Sequence, residues 1–167
     1  KLKPLSVSVA VCETSRFILG AEVSQIPSFG HLAKISRKKY GPRKCYHMQG
    51  LTRLFQRISN CVADDAILKS DEHARYPVVV KRFLPNCAHE RHQSERAHVA
   101  GQGELKKVSF DPLFAINHTC AMMRANINRL IRHTWCTTKK PKRLQDHLEI
   151  FINYHNRFLI DPKLTPI

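Results

Sequence analysis

The opening of the chain carries a period-two pattern that restricts what it can fold into. Over residues 5–11, every second residue is leucine or valine and the residues between them are serine or alanine. This period predicts a half-buried β-strand. A tight turn at residues 14–16 and a second apolar run over residues 17–26 predict its antiparallel partner. The chain is therefore expected to begin with a β-hairpin.

The pattern changes from strand to helix after the hairpin. Residues 31–49 are basic and are interrupted by Gly41-Pro42, so we expect a connector there. Apolar residues at three- and four-residue steps over residues 51–62 predict an amphipathic helix. A short apolar run follows and predicts a buried strand over residues 66–70 that ends at Asp71. A short helix is predicted over residues 76–83, before Pro85.

The second half of the chain is predicted to be an exposed loop followed by two helices. Residues 85–110 are rich in His, Arg, Glu and Gly, which favours a long exposed loop. Asp111-Pro112 is typical of a helix start, with an apolar stripe that runs to Leu130. A last stripe covers residues 144–158. This order of elements predicts one α/β domain over residues 1–167, a mixed sheet flanked by helices, with the 66–70 strand alongside the hairpin.

The charge balance favours a polyanionic partner. The chain has 28 Lys and Arg against 13 Asp and Glu, a formal net charge of +15. A surplus this large repels itself unless a polyanion is near, and nucleic acid is the polyanion that it favours. Ribosomal and membrane-surface proteins share this property, so the charge indicates a class of protein and not a function.

Two basic stretches are candidate DNA contacts, because a phosphate contact needs only positive charge and reach. The alternative for both stretches is a solvated charge run. The candidate residues are Arg37, Lys38, Lys39, Arg43 and Lys44 in the first stretch, and Lys139, Lys140, Lys142 and Arg143 in the second.

The six cysteines form no CxxC pair, and we expect reduced thiols in a cytosolic protein. Cys87, His89, His92 and His98 lack the paired spacing of a structural zinc site and are more typical of surface residues. No apolar run approaches the roughly 20 residues of a membrane span, and no signal peptide precedes the first strand. We therefore expect no membrane association.

Three polar residues are candidates for a functional site. Asp71 lies where a strand is predicted to end, the edge at which ligands gather in open α/β sheets; a turn-forming Asp is the alternative. Asn117 and Arg124 are seven residues apart, which places them roughly 20° apart on one helix face. They lie at the border of the apolar stripe, and an ordinary polar helix flank is the alternative.

Several stretches resemble a group of bacterial insertion-sequence transposases. They are KLKPLSVSVAV, HLAKISRKKYGPRK, ILKSDEHARYP and GQGELKKVSFDPLFAINHTCAMMRANINRLIRHTWCTTKKPKRLQDHL. The resemblance covers nearly the whole chain and is weakest at residues 45–60 and 88–98. It implies an RNase H-like catalytic domain that cleaves and transfers strands of transposon-end and target DNA. In that family three side chains, usually two Asp and one Glu, hold two divalent metal ions, magnesium or manganese.

One subgroup has Asn in place of the Glu, followed by a basic residue. Residue by residue, Asp71 matches the second acid, Asn117 the third position and Arg124 the basic residue, so the resemblance implies a catalytic role for all three. Asp71 and Asn117 would be the metal ligands. The family's first acid lies on a strand just before the segment that matches residues 1–6, so we expect the first strand to be missing here. The hairpin would then be the second and third strands.

This missing acid leads us to expect little or no strand cleavage from the chain alone. Asp71 would be the only family carboxylate, Asn117 offers a neutral carbonyl oxygen, and two dications would be poorly neutralised. The resemblance also implies a bacterial cytoplasmic protein, associated with the nucleoid, whose partner is DNA, and it leaves room for a homo-oligomer. A non-catalytic basic nucleic-acid-binding domain and a non-functional mobile-element remnant are the alternatives.

Overall fold

A computed structural model describes residues 2–93, 111–130 and 138–160. The elements are β1 (Leu5–Val11), β2 (Ile18–Gln25), α1 (Leu32–Tyr40), α2 (His47–Ile58), β3 (Ile67–Asp71), α3 (Tyr76–Phe83), β4 (Ala88–His92), α4 (Phe114–Asn126) and α5 (Pro141–Tyr154). Short 3-10 turns follow α2 and α4, and a π-helical turn, His155–Leu159, continues α5. The fold is α/β, with helices flanking small sheets.

The four strands form two separate sheets. β1 and β2 are antiparallel with Leu5 opposite Gln25, which confirms the predicted hairpin. β3 and β4 are parallel with Ile67 opposite Ala88. No ladder joins β3 to the hairpin within the residues that the structure describes. The prediction of one mixed sheet, with residues 66–70 alongside the hairpin, is therefore wrong for this part of the chain. The sequence pattern identified β1, β2 and β3 but carried no signal for the partner of β3.

The partner of β3 comes from the segment that was predicted to be a loop. β4 lies within residues 85–110 and has only polar or small residues, so no apolar alternation marks it. Its position depends on the backbone ladder with β3 and on a hydrogen bond from Ala88 N to the Ala66 carbonyl at 3.1 Å. The predicted burial of β3 is also wrong at its start, because Ile67 is 59% exposed. Residues 94–110 lie outside the described part of the chain.

Residues 31–49 are not only a connector, because they contain α1 and the first turn of α2. α1 buries only Ser36, whose hydroxyl donates to the Leu2 carbonyl at 2.6 Å. A helix that buries one serine has no apolar stripe, and this explains why the pattern did not reveal it. α1 ends at Gly41, whose φ of 71° lies in the left-handed region that favours glycine.

The predicted stripes of α2 and α5 are the faces that these helices bury. The buried residues are Leu51, Leu54, Phe55 and Ile58 in α2, and Leu144, Leu148, Phe151 and Ile152 in α5. One apolar cluster joins the hairpin to α4 and α5, and a second joins α2 to α3. The hairpin is covered on both faces, because α2 packs over Gly20 and Ser24 while Ala21 and Val23 belong to the cluster with α4 and α5.

Two glycines allow α2 to lie very close to β2. A Cβ at Gly50 of α2 would overlap the Ser24 hydroxyl and lie 3.2 Å from the Ser24 Cβ. A Cβ at Gly20 of β2 would lie 3.1 Å from the Leu54 Cδ1. Each surface therefore lacks a side chain where the other approaches.

The outer edge of β2 is closed by side-chain amides from α5 and the turn after it. Gln145 Oε1 accepts a hydrogen bond from Val23 N at 2.9 Å, and Gln145 Nε2 donates to the Ala21 carbonyl at 2.8 Å. Asn156 bonds both backbone groups of Ile18 in the same way. These bonds are the ones that a neighbouring strand would make, so this sheet edge is occupied.

α4 is shorter than predicted at both ends. It begins at Phe114 rather than just after Asp111, although Asp111 Oδ1 still accepts a hydrogen bond from Leu113 N at 3.0 Å. It ends at Asn126, whereas the apolar stripe continues to Leu130 in the 3-10 turn that follows. The stripe is longer than the helix because both pack on the same cluster.

Candidate functional site

A cleft of about 710 Å³ lies between the two sheets. β1 forms one wall and β3 the other, and α2 and α4 contribute apolar residues. Two of the polar residues singled out from the sequence, Asp71 and Asn117, line this cleft. The cleft therefore brings together a strand end and a helix that are far apart in the sequence.

Asp71 is the last residue of β3 and is half-buried. Its Oδ1 accepts a hydrogen bond from His73 N at 3.0 Å, so Asp71 also shapes the turn that follows the strand. Its charge affects Tyr76 at the start of α3. Burial, and then the charge of Asp71, raise the pKa of the Tyr76 phenol to about 12. Asp71 therefore both forms the turn after β3 and lines the cleft, although the sequence presented these two roles as alternatives.

Asn117 is held by a carboxylate that the sequence did not single out as a site residue. Asn117 Nδ2 donates to Asp111 Oδ2 at 2.9 Å, while the other oxygen of Asp111 accepts the Leu113 N–H. Asp111 was interpreted only as a helix cap. Its position six residues before Asn117, across the start of a helix, follows no periodic rule that could have revealed the contact.

Arg124 is on the same helix but does not line the cleft. It lies in the last turn of α4 and is half-buried. Seven residues of helix separate it from Asn117 by about 10 Å along the axis. The two residues share a face, as their spacing predicts, but only Asn117 is among the cleft-lining residues of the described part of the chain.

The donor set does not fit a two-metal centre by itself. No group of three or more His, Cys, Asp or Glu is placed to hold a metal ion within residues 2–93, 111–130 and 138–160. Asn117 provides only a neutral amide oxygen, and Glu13, which also lines the cleft, is paired with Lys69. Two divalent ions require more carboxylate charge than Asp71 supplies. The zinc alternative gains no support among the described residues either. His89 bonds the Ser70 hydroxyl at 2.8 Å, and His98 lies outside the described residues.

A histidine pair that was not predicted includes His73, whose backbone N–H bonds Asp71. His47 Nδ1 lies 3.0 Å from the Ser6 hydroxyl of β1, and its ring centroid is 5.6 Å from that of His73. Burial, followed by the charges of Arg75 and His73, lowers the pKa of His47. The pair links the start of β1 to the residues just after β3. No spacing rule connects these two histidines in the sequence.

The first basic stretch is divided between a helix and a loop. Arg37, Lys38 and Lys39 are exposed in the last turn of α1, and Lys44 is exposed beyond it. Arg43 differs because it is half-buried and its Nη2 donates to the Pro4 carbonyl at 3.5 Å. Positive charge at the end of a helix is favoured by the helix dipole. The α1 cations are therefore stable without an external anion.

The second basic stretch lies at the N-terminal end of a helix, α5, whereas the first lies at the C-terminal end of α1. Lys139, Lys140, Lys142 and Arg143 are exposed around the start of α5, and its first turn has no acidic residue. Each cation at a helix N-terminus is disfavoured by about 0.3–1 kcal/mol. Pro141 has no N–H, and the Leu144 N–H bonds the Lys140 carbonyl at 3.3 Å, so a phosphate would interact with the charges and with the N–H groups of Lys142 and Arg143. We call these four cations the α5 patch, and they are the stronger candidate for a phosphate contact.

Comparisons of the chain with protein-family models, with curated proteins and with solved structures find no match. The helices that the structure describes include none that is both long and apolar enough to cross a membrane. The five described cysteines are free thiols, and Cys136 lies outside the described residues. A functional proposal therefore depends on the fold, on the cleft with Asp71 and Asn117, and on the exposed cations.

Proposed function

We propose that this chain is an RNase H-like transposase catalytic domain that binds DNA but does not cleave it alone. The observation that carries the proposal is the shared cleft of Asp71, at the end of β3, and Asn117, on α4. The resemblance assigns these two residues to one site, and they come from segments that are distant in sequence. The net charge of +15 supports DNA as the partner.

In this proposal each site residue has a separate task. Asp71 supplies the carboxylate at the strand end. Asp111 restrains Asn117 through its hydrogen bond to Nδ2, which fixes the plane of the amide and the direction of its oxygen. Arg124, about two helical turns from Asn117, contacts a DNA phosphate rather than the groups at the cleft. The α5 patch contributes further phosphate contacts.

In the family that the chain resembles, magnesium or manganese would activate the attacking oxygen and stabilise the leaving one. Because the described donor set does not fit two metal ions, we derive no cleavage step from these residues. We expect the chain to need at least one more carboxylate beside Asp71 and Asn117 before it cleaves DNA.

A second candidate function is DNA binding without any catalytic role. The exposed cations at the start of α5, where the helix dipole disfavours them, support this candidate without reference to Asp71 or Asn117. Both candidates predict that the chain binds DNA without cleaving it. They differ in whether a version of the chain with a further Asp beside Asp71 and Asn117 cleaves DNA.

Binding and nicking of a labelled duplex, measured side by side, separate the two. We would compare the chain with a version extended before Lys1 by a designed strand that carries one Asp, each with magnesium, manganese or a chelator. The transposase proposal expects binding by both proteins and metal-dependent nicking by the extended one. In the extended protein, Asp71→Ala should abolish nicking, and Asp146→Ala on the exposed face of α5 should not.

Binding without nicking in the extended protein would favour the non-catalytic candidate. An absence of DNA binding at low salt would reject both.

A further inference from the structure

Two histidines and an arginine meet where the start of α2 lies beside the turn after β3. They are His47, His73 and Arg75, and we call them the His–Arg cluster. The ring centroids of His47 and His73 are 5.6 Å apart. Arg75 reaches back toward α2, where its Nη1 lies 4.0 Å from the sulfur of Cys45, just before the helix. Side chains from separate segments of the chain therefore converge here.

Neighbouring groups orient both imidazole rings of the cluster. His47 Nδ1 lies 3.0 Å from the Ser6 hydroxyl, which can donate to it. His73 Nδ1 accepts a hydrogen bond from the Arg75 backbone N–H at 3.3 Å, and the ring makes a T-shaped contact with Tyr76 at 5.9 Å between centroids. When Nδ1 of a neutral ring accepts a bond, its proton lies on Nε2. The Nε2 of each ring is thus available to donate to a ligand.

The ion pairs between the described residues leave the positive charge of the cluster unmatched. None of these pairs includes Arg75, and a thiol such as that of Cys45 is only a weak acceptor. Burial, and then the charges of Arg75 and His73, lower the pKa of His47, so both of these charges are positive. The Asp71 carboxylate accepts the His73 backbone N–H and forms no ion pair with the cluster.

The start of α2 adds to the positive potential around the cluster. His47 is the first residue of this helix, whose first turn has no acidic residue and whose N-terminus has no side-chain cap. A helix N-terminus has the equivalent of roughly half a positive charge and N–H groups without partners inside the helix. A phosphate group has three strong acceptor oxygens, which suits a place where an arginine, two imidazoles and a helix start converge.

We propose that His47, His73 and Arg75 form a binding site for a single phosphate group. Arg75 donates the charge-assisted hydrogen bonds, and the Nε2 of each histidine donates one more. The phosphate is a phosphodiester of a nucleic acid or a free phosphate, and both are recognised by the same chemistry. This inference goes beyond the proposed function, because the site binds phosphate whether or not the chain cleaves DNA.

The test follows the imidazole resonances of His47 and His73 by nuclear magnetic resonance, with His47→Gln and His73→Gln to assign them. Inorganic phosphate is added at about pH 8, where it is mainly dianionic, and chloride keeps the ionic strength constant. We expect saturable shifts of both rings, with a dissociation constant in the millimolar range.

A second titration with a dinucleotide that has one phosphodiester identifies the source of the phosphate. Saturable shifts with both ligands would support the site and assign it to a nucleic acid backbone. Saturable shifts with inorganic phosphate alone would support the site and assign it to a free phosphate.

Two variants test the residues of the cluster. Arg75→Gln should weaken phosphate binding by at least about ten-fold, because it removes the charge-assisted bonds. Arg82→Gln removes one exposed positive charge from α3 and is the matched control, with an expected change below about two-fold. His73→Ala should weaken binding by about two- to ten-fold. Because His73 is exposed, this variant still decides the question if Arg75→Gln does not fold.

Three results would overturn the proposal. One is shifts that do not saturate or that chloride alone reproduces. Another is an unchanged affinity for phosphate in Arg75→Gln and His73→Ala. The third is an equal loss of affinity in Arg75→Gln and Arg82→Gln, which would indicate a response to net charge. Each of these results leaves DNA binding through the α5 patch possible, so a failure here is distinguishable from a failure of the proposed function.

Discussion

The side chain of Asn156 forms a two-way hydrogen-bonded pair with the backbone of Ile18. Asn156 Oδ1 accepts from the Ile18 N–H at 2.9 Å, and Asn156 Nδ2 donates to the Ile18 carbonyl at 3.0 Å. Ile18 is only 1% exposed, so water does not readily replace these bonds. The amide thus stands in for a strand at the edge of β2.

Asn156→Ala should destabilise the fold through this edge. The substitution leaves two backbone groups of a buried residue without a partner, at about 1–3 kcal/mol each. We expect the free energy of unfolding to fall by about 2–4 kcal/mol in urea titrations. Asn153→Ala on the exposed face of α5 is the control and should change it by less than about 0.5 kcal/mol. Equal losses from the two variants would contradict the role of the Asn156 pair.

Gly50→Ala should be destabilising even though alanine is the better helix former. Helix propensity alone would stabilise the variant by about 0.5–1 kcal/mol. The new Cβ overlaps the Ser24 hydroxyl, and overpacking of this kind costs about 1–3 kcal/mol. Adding Ser24→Ala removes that oxygen and should recover part of the loss in a double-mutant cycle. If the effects of Gly50→Ala and Ser24→Ala on the free energy of unfolding are additive, the two residues are not in contact.

The pair between Arg57 and Glu149 should make stability fall in acid. Arg57 Nη1 and Nη2 donate to the two carboxylate oxygens at 2.6 and 3.0 Å, and this bond lowers the pKa of Glu149. Because the folded-state pKa is lowered, the contribution is present above the ordinary value of 4.5 and is lost as the pH falls through the lower one.

The pair is partly exposed, so we expect less than about 1 kcal/mol from it. Thermal melts of Glu149→Gln at several pH values should show a flatter acid limb, and Asp146→Asn on the same helix should leave the limb unchanged. An acid limb that survives in Glu149→Gln would assign the pH dependence to other carboxylates.

Asp71 should be detectable through the ionisation of Tyr76. Burial and the nearby carboxylate raise the pKa of Tyr76 from 10.0 to about 12. Because the folded-state pKa is raised, the stability that Tyr76 contributes is present below pH 10 and is lost as the pH rises toward about 12. Asp71→Asn should lower this pKa toward its ordinary value in an ultraviolet titration, with Tyr76→Phe identifying the signal. An unchanged titration in Asp71→Asn would show that the carboxylate of Asp71 does not contribute to the raised pKa of Tyr76.

DNA binding should depend steeply on salt and mainly on the α5 patch. Each phosphate that the protein neutralises adds about −0.9 to the slope of log affinity against log salt. Replacing Lys139, Lys140, Lys142 and Arg143 with glutamine should reduce the slope by roughly 0.9 for each phosphate that these side chains neutralise. Replacing the two exposed cations of α3, Lys81 and Arg82, with glutamine is the control, and the change in slope is compared per positive charge removed. An equal reduction of the slope per charge in both variants would indicate that binding depends on the overall charge rather than on the cations at the start of α5.

The sequence predicted the elements that bury several apolar residues and missed those that do not. The hairpin, α2 and α5 were evident because their apolar residues repeat at the period of the element. α1 buries only Ser36, and β4 has no apolar alternation, so neither left a periodic signal. The pairing of strands was missed because it depends on contacts between distant segments, which a local pattern does not encode.

In the candidate site, the sequence likewise indicated residues with a local signal and missed contacts between distant residues. Asp71 and Asn117 were selected from a strand end and a helix face, and both line the cleft. The bond from Asn117 to Asp111 and the pair of His47 with His73 join residues whose spacing carries no rule. The spacing places Arg124 on the same helix face as Asn117, but helical angle alone does not give the distance along the axis, and Arg124 does not line the cleft.

The amide pairs at the edge of β2 have a consequence for the kinetics of folding. They join residues that are 138 positions apart for Asn156 and Ile18, and 122 apart for Gln145 and Val23. Contacts that close such long loops form late, after local elements such as the hairpin. Interactions absent from the transition state govern the unfolding rate. We therefore expect the loss of Gln145 or Asn156 to speed unfolding more than it slows folding, so that these two amides lengthen the lifetime of the native state.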